Sequence, residues 1–147
     1  MITSISFNEI LPIWKMFLWP NRTSPIETTS AMNLLSGYDL QNMIHPPTFL
    51  AYMIDNKIAG VNSGHKCADN SYRSRGLWVF PQYRKQGVGT DILKATILQG
   101  KKEGATHVWS YPRFSSWTTY QAAGFNLVSD WETSETSDRN AFCRIDI

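Results

Sequence analysis

Residues 79–93 read VFPQYRKQGVGTDIL, the least ordinary stretch of the chain. A strand-like run ends at Phe80-Pro81, Arg84 and Lys85 follow, and Gly87 and Gly89 lead into an amphipathic helix. The positive dipole end and free N–H groups of a helix start attract anions. Glycine lets a ligand's oxygens come close to the backbone. Cations and glycines at a helix start therefore predict a phosphate site. A dinucleotide fingerprint would need a third glycine where Ile92 stands, and a nucleotide P-loop would need Gly-Lys followed by Ser or Thr. Neither is present. What remains is Arg84-x-x-Gly87-x-Gly89 between a strand and a helix.

Working outward, Val88, Ile92, Leu93, Ala95, Ile97 and Leu98 give the helix over 88–103 a broad apolar surface. Lys94, Lys101, Lys102 and Glu103 face water, and Gly104 closes it. THVWSY then reads as a strand, SSWTTYQAA as a short helix ending at Gly124, and FNLVSDW and AFCRIDI as strands. Upstream, SYRSRGLWVF is a strand, and TFLAYMI and KIAGVNSGHK flank Asp55-Asn56, a hairpin signal. SPIE (24–27) has the form of a capping box and predicts a short helix to Leu35, stopped by Gly37. ITSISF reads as the first strand. Ile10, Ile13, Trp14, Phe17 and Leu18 form a helical stripe, with Pro12 in the first turn and Pro20 at the end. The order β-α-α-β-β-β-α-β-α-β-β predicts an α/β protein of the α+β mixed-sheet kind, with helices packed on the sheet.

No repeat, low-complexity segment or linker interrupts this order, so residues 1–147 read as a single domain. A net charge of +2 is too small to suggest nucleic acid as a partner. ILPIWKMFLW is half a membrane span and carries Lys15 and Pro12, which argues against a membrane partner. No signal segment is evident at the N-terminus. Cys67 and Cys143 fit a reduced protein as well as one disulfide, and a cytoplasmic location is expected. His45, His65 and His107 lie far apart, so no metal is expected.

The segment resembles the acetyl-CoA motif of the GNAT (GCN5-related N-acetyltransferase) superfamily, V-x-P-x-x-R-x-x-G-x-G, which residues 79–89 match at every fixed position. A second family feature, Y-x-x-x-G-F, stands at Tyr120 through Gly124-Phe125, and YMIDNKIAGV is similar to the family's central hairpin. The resemblance implies a GNAT-like acyl-CoA N-acyltransferase fold over nearly the whole chain. It implies an enzyme that moves an acetyl group from acetyl-CoA, its co-substrate, to a primary amine on a small molecule, peptide or protein. Backbone amides from Gln86, Gly87, Val88, Gly89 and Thr90 would hold the CoA pyrophosphate, with Arg84 and Lys85 supplying charge. Leu77, Trp78 and Val79 would pair their backbone with the pantetheine arm, where the fourth strand splays from the fifth.

Acetyl transfer needs a neutral amine, stabilisation of an oxyanion, and a proton for the departing thiolate. The resemblance gives the second to a backbone N–H near Val79 and the third to Tyr120. Full proton transfer from an ordinary tyrosine to a thiolate is uphill by about 2 kcal/mol. Tyr120 would therefore donate a hydrogen bond to sulfur or have a lowered pKa. The general base stays open among Glu27, His107, His65, Glu103 and a water chain. Arg113 replaces the Asn that many family members carry seven residues before the tyrosine; it reads either as a contact to an acidic acceptor or CoA phosphate, or as an exposed side chain. Trp19 and Trp117 are the expected walls of an acceptor pocket. The alternatives are a catalytically silent CoA-binding or regulatory module, a transferase using another acyl donor, and a nucleic-acid binder using Arg73, Arg75, Arg84 and Lys85. Oligomeric state reads as monomer or homodimer, with AFCRIDI as a possible pairing edge.

Overall fold

The computed structural model describes residues 1–133 and 138–147. Its framework is a seven-stranded mixed sheet in the order β1-β2-β3-β4-β5-β7-β6. The strands are β1 (Ile2–Ile5), β2 (Thr48–Ile54), β3 (Lys57–Lys66), β4 (Tyr72–Val79), β5 (His107–Ser110), β6 (Asn126–Leu127) and β7 (Cys143–Asp146). Every neighbouring pair is antiparallel except β4 and β5. That parallel pair needs a crossover, which is the long helix following the Arg-Gly loop. Asp55 and Asn56, both at positive φ, turn β2 into β3 as their sequence predicts.

Among the described residues three α-helices accompany the sheet: α1 (Phe7–Ile13), α2 (Val88–Lys102) and α3 (Trp117–Ala122). The α1 helix runs on into a π-helical turn, Trp14–Leu18. Ile10, Trp14 and Leu18 pack on Phe49, Ala51 and Val61 on one side of the sheet, while Val88 and Ile92 of α2 pack on Ala59 on the other. A third cluster joins Leu93 of α2 to Tyr72, Val108, Tyr120 and Phe125.

Four local expectations are corrected. No helix follows SPIE: Ser24 accepts a hydrogen bond from Arg22 Nε, and the Glu27 carbonyl accepts one from Arg75 Nη1. The carbonyls of Ala31 and Met32 accept from Asn42 Nδ2 at 3.1 and 3.3 Å and Ser30 Oγ accepts from Arg73, so side chains from other elements hold this segment in an irregular path. A 3₁₀ turn, Leu40–Ile44, capped by Asp39, comes later instead. The working capping box is Ser6–Glu9, so α1 starts earlier and Pro12 falls inside it. FNLVSDW contributes only the two residues of β6. AFCRIDI is no free edge, because β7 lies between β5 and β6.

One irregularity in β4 aims the site. Val61 pairs with Trp78 and Ser63 with Arg75, so Asn62 opposes both Gly76 and Leu77. This is a bulge, with Gly76 at φ +82°. Up to the bulge, Arg75 faces the rings of Trp14 and Trp19. Beyond it, Leu77 and Val79 turn to the α2 side and Trp78 turns back to stack on Phe17. The extra residue exchanges the two faces of the strand.

Candidate active site

β4 and β5 pair only at Tyr72–Val108 and Arg73–Trp109. Ser110 Oγ still donates to the Ser74 carbonyl, 2.8 Å away, and then the strands part. A cavity of about 570 Å³ lies at this splay, between the end of β4, the start of α2 and the segment leading into α3. Leu77, Trp78, Val79, Arg84, Lys85, Gly87, Val88, Gly89 and Thr90 all line it. Gln86 does not; its side-chain amide folds back to donate to the Gln82 carbonyl at 3.2 Å.

The loop geometry explains why these residues suit an anion. Gly87 is the N-cap of α2 at φ +82°, and no side chain caps the helix. The first-turn amides of an α-helix have no intrahelical acceptor. Val88, Gly89 and Thr90 therefore bring unshared N–H groups and the positive dipole end to the cavity wall. A Cβ on Gly89 would stand 2.9 Å from Thr119 Cγ2 and 3.3 Å from Val79 Cγ2. Glycine is what permits α2, α3 and β4 to converge here. Arg84 donates from Nε to the Val79 carbonyl at 2.8 Å, and its guanidinium lies 4.7 Å over Trp78.

A smaller cavity, about 90 Å³, adjoins the first; Leu18, Leu77, Arg113 and Ser116 line both. Tyr120 is on the wall of this second cavity, not the first. It is 3% exposed, its ring packs edge-on against Phe125, and burial raises its pKa, with nearby Ser110 acting in the opposite direction. Burial thus acts against a lowered pKa, the alternative to hydrogen-bond donation. Tyr120 is held protonated.

A sequence profile of the acetyltransferase (GNAT) family matches residues 13–125. The chain belongs to this family. Solved structures share the fold at low identity. An acetyltransferase of the GNAT family from Staphylococcus aureus Mu50 is 16% identical with a TM-score of 0.66, covering 99% of this chain and 98% of that one. The ribosomal-protein-S18-alanine N-acetyltransferase of Escherichia coli is 15% identical with a TM-score of 0.64, over 100% and 93%. A Bacillus subtilis acetyltransferase in complex with CoA is 15% identical with a TM-score of 0.57, over 69% and 77%. A search of curated proteins finds no significant match.

In this GNAT domain, none of the side chains considered as general base lines either cavity. Glu27 is exposed, and its contact with Arg75 is through the backbone. Glu103 accepts from Gln99 at the far end of α2, and His107 sits beside Thr106. His65 is fully buried; Nε2 faces the Ser30 N–H at 3.4 Å and Nδ1 faces the Lys66 carbonyl at 3.2 Å. Burial lowers its pKa to about 4. No Asp, Glu or His of the described residues lines the two cavities.

The aromatic expectations divide. Trp19 lines the smaller cavity, whereas Trp117 lines neither and packs against Trp131, 6.1 Å between centroids. Arg113 is half-buried rather than exposed and lines both cavities. Arg73 and Arg75, weighed in the sequence only as surface cations, are 8% and 5% exposed. They cannot present a phosphate-binding surface to a duplex. Cys67 and Cys143 are both buried and free, and among the described residues no helix is long and apolar enough to cross a membrane.

Proposed function

We propose that this protein transfers the acetyl group of acetyl-CoA to a primary amine. The observation that carries the reading is the uncapped start of α2 opening into the cavity at the β4–β5 splay. In this reading the amides of Val88, Gly89 and Thr90 receive the pyrophosphate, and Arg84 and Lys85 add positive charge. The backbone of Leu77, Trp78 and Val79 flanks the pantetheine arm, and a backbone N–H near Val79 polarises the thioester carbonyl. The CoA-bound Bacillus subtilis structure of the same fold supports the choice of ligand.

The amine nitrogen attacks the carbonyl carbon, the C–S bond breaks, and the nitrogen loses a proton to water. Tyr120, kept protonated by burial, donates a hydrogen bond to the departing sulfur. With no carboxylate or imidazole on the described walls, the amine has to arrive neutral. Deprotonation at pH 7 costs a lysine-like amine about 4.6 kcal/mol and an α-amine about 1 to 1.4 kcal/mol. The second is the easier acceptor. Two free, buried cysteines fit work in a reducing, cytoplasmic setting.

One observation favours a second reading, a CoA-binding module without turnover: Tyr120 is buried, only 3% exposed, and packed edge-on against Phe125. Thiol release from acetyl-CoA, measured across a panel of amines for the native chain and Tyr120→Phe, separates the two. Amine-dependent release that falls in the variant supports the transferase. Binding of acetyl-CoA with no release from any amine supports the silent module.

A further inference from the structure

Three arginines line the smaller cavity beside Tyr120: Arg73, Arg75 and Arg113. Arg73 and Arg75 stand two apart on β4, on the face that precedes the Gly76 bulge, and both are more than nine-tenths buried. Such groups are ordinarily paired with carboxylates, because burying an unpaired cation leaves its desolvation penalty uncompensated. Here, among the described residues, the one ion pair is Arg144–Asp146, far along the chain. Arg73 uses Nη1 on Ser30 Oγ at 2.9 Å, Arg75 uses Nη1 on the Glu27 carbonyl at 3.0 Å, and Arg113 uses Nη2 on the Leu18 carbonyl at 2.6 Å. Arg73 Nε is buried with no hydrogen-bond partner.

Among the described residues, the rest of the surroundings keeps the charges in place without neutralising them. Trp109 lies under Arg73 at 4.9 Å, and Trp14 and Trp19 flank Arg75 at 5.1 and 5.2 Å. Cation–π contacts favour the charge and leave the planar N–H fork available. Burial lowers Arg73 to about 10 and Arg75 to about 9, which leaves both positive at neutral pH. Glu27 and Asp138 act on Arg75 and Arg113 from outside the cavity, and neither lines it.

We infer that this cavity binds a carboxylate of the acceptor, so that the amine acetylated is a small one carrying an acid group, of the amino-acid type. The inference rests on the acetyltransferase reading and narrows its substrate class. It also bears on the missing base. Positive charge beside the acceptor disfavours its ammonium form, and an amine bound by its carboxylate is held close to that charge. Purely cationic amines would be repelled by the same three arginines.

The test compares matched acceptors that differ only in the acid: each of the common amino acids, its carboxamide and its decarboxylated amine, with acetyl-CoA turnover as readout. The expected result is that one or more acids exceed their amides in kcat/KM by about tenfold or more, as for loss of a charged hydrogen bond. Arg73→Gln and Arg113→Gln should erase that preference by raising KM for the acid, with KM for acetyl-CoA unchanged in Arg73→Gln. A second measurement does not depend on turnover: tryptophan fluorescence, in the presence of CoA, titrated with N-acetyl amino acids and with their N-acetyl amides. A saturable response to an acid but not to its amide, lost in a folded Arg73→Gln, supports the inference. Equal responses, no response, or turnover of amides and decarboxylated amines as fast as acids overturns it. Turnover of uncharged amines would leave the acetyltransferase reading standing, whereas failure to bind acetyl-CoA at all would remove that reading too.

Discussion

Arg113 donates from Nη2 to the Leu18 carbonyl oxygen at 2.6 Å, joining the loop after β5 to the end of the π-helical turn. Both residues line both cavities, so this bond stands where the two cavities meet. The Asn common at this position in the family is shorter, and the arginine here spans a distance of 95 residues in sequence.

Replacing Arg113 with Ala should therefore lower stability by about 1–2 kcal/mol, the range for a charged hydrogen bond at a partly exposed site. It should also raise KM for acetyl-CoA, because one wall of the large cavity loses its tie. Urea denaturation and steady-state kinetics on the same preparation check both.

Gly76 is the second fixed point. A Cβ there would lie 2.5 Å from the Trp14 ring, the backbone sits at φ +82°, and the Gly76 carbonyl accepts from Trp14 Nε1 at 2.8 Å. Gly76→Ala should cost about 2–4 kcal/mol from left-handed backbone strain and overpacking together. If the variant folds, it should lose activity more than stability alone explains, since the bulge directs Arg75 to one face and Leu77 to the other. A thermal midpoint equal to that of the native chain would contradict this role.

His65 gives a pH dependence whose sign follows from burial. Its folded pKa, about 4, lies below the unfolded value near ~6.5, so the folded chain resists protonation. That contribution is complete above pH 6.5 and is lost as pH falls toward 4. Between pH 7 and pH 5 the loss should be about 2 kcal/mol. His65→Gln should flatten the dependence of the urea midpoint over this interval, even if its stability at pH 7 is lower.

Residues 79–102 were legible because local signals agree there: a strand end, a glycine loop and a long apolar stripe all point one way. SPIE misled because a capping box states only that a helix can start, and here the Glu27, Ala31 and Met32 carbonyls are taken by the side chains of Arg75 and Asn42 rather than by helical amides. The true box, Ser6-Phe7-Asn8-Glu9, was in plain view just ahead of the apolar stripe. The glycines stand out at the start of a helix, whereas Tyr120 is singled out only through the resemblance to the family's Y-x-x-x-G-F feature. Arg73 and Arg75 could not be found, because charged residues in a strand ordinarily face water. Their burial depends on Trp14, Trp19 and Trp109, which come from elements 30 to 60 residues away in the chain by rough count.

The most direct measurement is a calorimetric titration of the native chain with acetyl-CoA, repeated at matched ionic strength on an Arg84→Glu, Lys85→Glu double variant. Saturable one-to-one binding is predicted, weakened by about tenfold or more in the variant, since both cations stand beside the start of α2. A folded native chain that takes up no acetyl-CoA, or a charge reversal that leaves affinity unchanged, would contradict the assignment of this cavity.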